Sequence, residues 1–282
     1  MENIGLILEG GGMRGLYTAG VLDFFMEKNL YFPYTIGVSM GACNGCSYIS
    51  KQIGRSKDIN VGYIRDPRYI GYRNFLKCKS IFGLDFMYNQ IPNKLNIFDY
   101  DTFFNSKEKF VVVATDCVTG EPVYFNKSRE EDILTIIKAS ASLPFIAPIV
   151  KYKEKFLLDG GIADSIPIKK SIEDGNEKNV IILTRPKEYR KTPFKHKGLV
   201  KKVYSGYDNL IEAILNRYKN YNETLDYIEK LEEEGKVFVI RPEGNIKVGR
   251  IERNKEKLEA LYNMGYNDIE KNYSQLLNWI NK

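Results

Sequence analysis

The sequence predicts an α/β fold, a central and mostly parallel sheet flanked by helices, and three observations carry that expectation. Short apolar runs lead directly into Gly-rich turns: Ile4–Leu8 precedes Gly10-Gly11-Gly12, and Tyr34–Val38 precedes Ser39-Met40-Gly41. After the first turn, Leu16, Ala19, Val21, Leu22, Phe25 and Met26 recur at helical spacing. Repeating such strand–turn–helix units calls for parallel strands joined by helices that cover the sheet.

Taken in order, Ile4–Leu8 reads as a buried strand followed by a helix. Pro33 opens a second strand near Tyr34–Val38, and the small residues Ala42, Gly45 and Ser47 continue into a second helix. Residues 51–100 are rich in Tyr, Arg, Lys, Gly and Asn, and are expected to form helices and loops as a lid or flank. Phe110–Thr115 is a strand, Asp116–Glu121 a turn, and Pro122–Phe125 a strand returning from it. Ile133–Ser142 reads as a helix ending before Pro144, and Lys155–Leu158 as a strand leading into Asp159-Gly160-Gly161. Val180–Thr184 is the next strand. Lys187–Lys202 then carries seven Lys or Arg and reads as an exposed connection. Tyr207–Glu234 is helical and Val237–Ile240 a strand. Arg250–Asn263 and Tyr266–Ile280 are expected as two amphipathic helices parted around Gly265. The division that follows is a catalytic core over residues 1–170 and a smaller α-rich extension over 171–282, packed on it.

The 282 residues, 43% hydrophobic and 28% charged, are ample for a buried core. A single histidine, His196, excludes the His-rich zinc arrangements. Cys43, Cys46, Cys78 and Cys117 are too few and scattered for a secreted disulfide scaffold, and read as free thiols in a reducing compartment. The charge of +6 comes from 42 basic residues interleaved with 36 acidic ones, which argues against a nucleic-acid partner. It leaves room for peripheral attraction to an anionic membrane, with Lys187–Lys202 as the segment to provide it. No targeting segment or membrane span is legible, so a cytoplasmic location is expected. Oligomeric state is not legible.

Gly37-x-Ser39-x-Gly41 carries the sharpest chemistry. A nucleophile on a tight strand-to-helix turn needs small residues two before and two after it, or side chains collide with the sheet and the incoming helix. The plain alternative is a turn in which Ser39 caps a helix. Gly10, Gly11 and Gly12 offer unobstructed amides that suit an oxyanion or a phosphate, with Arg14 adding a fixed positive charge. Gly10, Gly12 and Gly15 also spell a dinucleotide fingerprint, but the second strand then ought to end in an acid, and it ends in Gly37-Val38-Ser39. Asp159 is the best available base in a chain with one histidine; an ordinary Asp-Gly turn is the alternative. His196 lies among lysines, where an imidazolium is disfavoured. A carboxylate is a weaker base than imidazole, which favours esters over amides as substrates. Cys43-Asn44-Gly45-Cys46 places its two thiols one helical turn apart and reads as packing rather than as a redox or metal site.

Gly-Gly-Gly-Met-Arg-Gly, then Gly-Val-Ser-Met-Gly, then Asp-Gly-Gly, in this order, resembles the patatin-like phospholipase family. Ala141-Ser142-Leu143-Pro144 is similar to that family's pattern as well, and the match covers about Gly5 to Ile168. The resemblance implies a Ser39–Asp159 dyad, an oxyanion hole at Gly10, Gly11 and Gly12 with Arg14 close by, and hydrolysis of lipid acyl esters without metal or cofactor. The region after about Lys170 is similar to the extension of a bacterial branch. Two other function classes stay open: a dinucleotide-dependent oxidoreductase, and a lipid-binding regulatory protein that keeps the pocket without turnover.

Overall fold

A computed structural model describes residues 3–244 and 247–282, apart from the side chains of Lys77 and Cys78. Its strands are β1 (Ile4–Leu8), β2 (Tyr34–Val38), β3 (Lys109–Asp116), β4 (Pro122–Asn126), β5 (Val150–Tyr152), β6 (Lys155–Asp159), β7 (Lys178–Ile182) and β8 (Val237–Ile240). The helices are α1 (Leu16–Glu27), α2 (Met40–Ile49), α3 (Arg55–Gly62), α4 (Tyr72–Cys78), α5 (Tyr100–Asn105), α6 (Ile133–Ser140), α7 (Ile168–Glu173), α8 (Lys197–Val203), α9 (Asp208–Glu233) and α10 (Lys255–Ile280). A π-helical stretch, Phe86–Leu95, lies between α4 and α5.

The strands form one mixed sheet in the order β5-β6-β3-β2-β1-β7-β8, with β4 also on β3. Pairing is parallel from β3 through β2, β1 and β7 to β8, and antiparallel where β4 and β6 meet β3 and where β5 meets β6. Successive strand residues face opposite sides. On one face Leu6, Leu8, Phe110, Val112, Val180 and Ile182 join the apolar cluster under α1, α2 and α10. On the other, Ile7, Val111, Val113 and Ile181 join Tyr221, Leu225, Ile228 and Leu231 of α9. Strands buried on both faces are why these runs read as unbroken apolar stretches.

The C-terminal segment therefore covers both faces, α10 on one and α9 on the other, while β7 and β8 extend the sheet itself. The expected break around Gly265 is absent: α10 runs unbroken from Lys255 to Ile280. Gly265 is a contact point. A Cβ there would fall on the Tyr17 carbonyl of α1, and a Cβ at Gly20 of α1 would fall on the Tyr262 carbonyl of α10. Two glycines let the helix backbones touch, and the Tyr17 and Tyr262 hydroxyls donate to Asp268 and Asp23 at 3.0 and 2.7 Å beside them. Burial pushes the Asp23 carboxyl up to about 6. Cys43, Cys46 and Cys117 are free thiols, the last two buried. Among the described residues no helix is long and apolar enough to cross a membrane.

Candidate active site

Ser39 follows the last residue of β2 and holds φ 55°, ψ −122°. A non-Gly residue in that region stores on the order of 1–3 kcal/mol of strain, which the surroundings must impose. Gly37 and Gly41 make the turn possible: a Cβ at Gly37 would lie 2.8 Å from the Ala42 backbone, and one at Gly41 would fall on the Leu8 carbonyl. The backbone is held by Ser140, whose hydroxyl accepts the Ser39 N–H at 2.8 Å and donates to the Val113 carbonyl at 2.6 Å. Ser39 stands at the N-terminal end of α2, yet its side chain makes no capping bond to it. Its Oγ donates instead to Asp159 Oδ2 at 2.6 Å.

The strand registers explain how Ser39 and Asp159 meet. β4 pairs with β3 residues 111–115 along one edge. The opposite edge is shared by β2, whose Val38 pairs with Val113, and β6, whose Asp159 pairs with Ala114. Since β6 is antiparallel, its C-terminal end runs head-on into that of β2. Asp159 Oδ1 accepts the Gly161 N–H at 2.8 Å, and the Asp159 amide donates to the Ser142 carbonyl at 2.9 Å. Both members of the pair are thus tied to the Ala141-Ser142-Leu143-Pro144 turn and its approach. Ser39 is 4% exposed and Asp159 1% exposed.

Gly10, Gly11, Gly12 and Arg14 line the same cleft as Ser39 and Asp159. Among the described residues the Gly10 and Gly11 amides donate to no backbone or side-chain acceptor. Gly10 lies close enough to Ser39 that a Cβ on it would sit 3.0 Å from the Ser39 Cβ. Arg14 is 6% exposed, and burial together with Arg185 and Arg250 pulls its guanidinium down to about 10. Every site residue expected from the sequence therefore converges on one place.

The cleft has two lobes that share Gly12, Ser39, Leu143 and Arg250. One is walled by Met40, Tyr69, Phe82, Leu84, Met87 and Tyr88. It continues past Met40, Tyr69, Met87 and Tyr88 into a further, mainly apolar pocket. The segment expected as a lid or flank, residues 51–100, supplies much of this wall. The other lobe adds Glu9, Arg185, Tyr189, Lys191, Arg217 and Tyr221. No local motif marked these residues, because they come from separated parts of the chain. Lys191 corrects the reading of Lys187–Lys202 as an exposed connection: its ammonium lies 3.0 Å from the centre of the Tyr221 ring, and burial pulls its pKa well down. His196 remains exposed at the start of α8, without a side-chain capping bond.

The profile of the family described as patatin-like phospholipase matches residues 6–171, and that of a domain of unknown function (DUF6363) matches residues 207–281. The chain is 29% identical over 245 residues to Uncharacterized protein YjjU of Escherichia coli (strain K12), covering 85% of this chain and 68% of that one. It is 25% identical to Probable lipid hydrolase 463L of Invertebrate iridescent virus 6, covering 62% of this chain and 65% of the relative. It is 26% identical to Lysophospholipase nte1 of Aspergillus terreus (strain NIH 2624 / FGSC A1156), covering 59% of this chain and 11% of that much longer protein. VipD from Legionella pneumophila aligns in structure with a TM-score of 0.48 and 11% identity, over 96% of this chain and 67% of VipD. With its first 171 residues matched almost throughout, the chain belongs to the patatin-like phospholipase family, and is a hydrolase.

Proposed function

We propose that the protein hydrolyses acyl esters of lipids, with Ser39 as nucleophile and Asp159 as general base. The observation that carries this reading is the 2.6 Å hydrogen bond from Ser39 Oγ to Asp159 Oδ2 on a strained strand-to-helix turn. As Ser39 Oγ attacks the acyl carbonyl, its proton passes to Asp159. The carbonyl oxygen gains the negative charge and is met by the Gly10–Gly12 amides, with Arg14 nearby. Collapse of the tetrahedral intermediate breaks the ester bond, and the Asp159 proton goes to the departing alcohol oxygen. Water then gives its proton to Asp159 and attacks the acyl-enzyme, releasing the carboxylic acid and returning the proton to Ser39 Oγ. The apolar lobe takes the acyl chain.

The names of the lipid hydrolase and lysophospholipase relatives support this substrate class. The division into residues 1–170 and 171–282 separates the dyad from an extension that we read as part of the same catalytic unit. Peripheral contact with an anionic lipid surface falls to α8, where exposed Lys201 and Lys202 stand beside exposed Leu199 and Val203. A fluorophosphonate probe tests the nucleophile. Covalent labelling of the intact chain should map to Ser39 and vanish in Ser39→Ala; undiminished labelling of that variant would overturn the assignment.

A further inference from the structure

Five basic side chains, those of Arg14, Arg185, Arg217, Arg250 and Lys191, surround the second lobe of the cleft beside Ser39. Among the described residues none of the five makes an ion pair within 4.0 Å. The two carboxylates of the lobe are committed elsewhere. Glu9 accepts from the Thr184 amide and hydroxyl at 2.6 and 2.9 Å and from the Tyr221 hydroxyl at 2.7 Å. Asp159 accepts from Ser39 and Gly161. Among the described residues the buried Nε atoms of Arg14, Arg185 and Arg217 find no hydrogen-bond partner.

Such a set is costly. Buried donors without partners lose their hydration, and like charges brought together repel. Burial and the Arg250 charge pull the Arg217 guanidinium down to about 10, as burial, Arg185 and Arg250 do for Arg14. Guanidinium groups at such values stay charged at neutral pH. The four arginines therefore outnumber the two carboxylates by two charges, before Lys191 is considered. An anion with two charges and several acceptor oxygens answers both deficits at once.

We propose that this lobe binds a phosphate group, and that it does so as the head group of the lipid whose ester Ser39 cleaves, with a phosphomonoester preferred over a zwitterionic head group. This deepens, and rests on, the acyl-ester hydrolase reading. The ester then lies at Ser39 between an acyl chain in the apolar lobe and a phosphate among the arginines. An ammonium-bearing head group brings a cation toward a cationic wall and is disfavoured. Arg217 and Arg250 come from the segment matched by the domain of unknown function, so that segment supplies part of the substrate site.

The test has two arms on the full chain. In the first, kcat/KM is measured for three esters with one acyl chain: 1-acylglycerol 3-phosphate, 1-acylglycerol 3-phosphocholine and 1-acylglycerol. The phosphomonoester should lead by about tenfold or more, and Arg217→Gln should cut that lead by about tenfold, the lower end of the scale for a charge-assisted hydrogen bond. Arg217→Lys should restore part of it. Arg250→Gln, at an exposed position, gives the same readout if Arg217→Gln fails to fold.

In the second arm, inorganic phosphate and glycerol 3-phosphate are titrated into the Ser39→Ala chain by calorimetry, with Arg250→Gln added as the weakened control. Phosphate binding with head-group preference supports the full proposal. Binding without preference leaves the phosphate site standing but assigns it to the free ion, overturning the head-group role. No binding and no preference overturns the site, even where neutral esters are hydrolysed. Binding in a chain that hydrolyses no ester keeps the anion site and sinks the hydrolase reading instead.

Discussion

On one side of Ser39 the cleft is walled by Met40, Tyr69, Phe82, Met87 and Tyr88; on the other stand Arg14, Arg185, Lys191, Arg217 and Arg250. The apolar wall is drawn from residues 40–88 with a contribution from the turn after α6, all within the patatin-like segment. The cationic wall collects Arg14 from the turn after β1, Arg185 and Lys191 from the stretch after β7, Arg217 from α9 and Arg250 from the approach to α10. Apolar side chains lose nothing by lining up together, so a helical region can present several at once. Converging cations repel, so they have to be brought together from several parts of the chain by the fold around them. On the proposed reading the patatin-like core provides the reaction and a place for a chain, while Arg217 and Arg250 of the C-terminal segment help to select the other end of the substrate.

The junction of the two lobes is the place to break both. Asp159→Asn should lower hydrolysis of every ester by at least ~100-fold, the lower scale for removing a general base. Asn is nearly isosteric, so thermal unfolding should change little; a folded variant with near-normal kcat would remove Asp159 from the mechanism. Gly11→Ala should follow with a loss of about 10- to 100-fold. Its Cβ would meet Thr184 Oγ1 at 2.8 Å and shift the amides away from the reacting carbonyl, where one lost donor costs about 100-fold or more. Unchanged kcat on a neutral ester would show that these amides do not face it. Gly12→Val is a poorer probe, because Gly12 has φ +57° and a Cβ there would lie 2.6 Å from the Arg250 carbonyl; it should destabilise the fold.

A change confined to the apolar wall sharpens the comparison. Met87→Trp fills that lobe, and should reduce kcat/KM for long acyl chains relative to short ones by about tenfold, the scale on which hydrophobic pockets discriminate. An unaltered chain-length profile would place the acyl group elsewhere. The smallest effect belongs to a residue in neither lobe. His196→Ala removes an exposed side chain that packs edge-on against Phe194, and should leave kcat and stability within about twofold. A folded but inactive variant would replace the dyad with a Ser39–His196 arrangement.

The Ser39 turn, the Gly10–Gly12 turn and the Asp159-Gly160-Gly161 turn were legible because each is a local pattern: an apolar strand, then small residues where the chain reverses into a helix. The expected strands at Ile4–Leu8, Tyr34–Val38 and Val237–Ile240 match the observed elements residue for residue. Gly265 misled because a glycine in a helical pattern signals either an end or a close approach, and only the partner helix distinguishes them. Lys191 misled for a related reason. It lies in a stretch rich in Lys and Arg, while its contact, Tyr221, lies far along the chain on α9.

By itself, then, the sequence determined which side chains could react and what turns would present them, since backbone preference and hydrophobic period act over a few residues. Only the tertiary structure decided that β6 runs against β3, and so delivers Asp159 head-on to Ser39, because strand direction depends on pairing between distant stretches of chain. It alone decided that α10 passes unbroken over α1, and that five basic side chains from distant segments share one lobe. Charge says nothing of location until the chain closes its loops, and closure is what brings scattered arginines to one lobe.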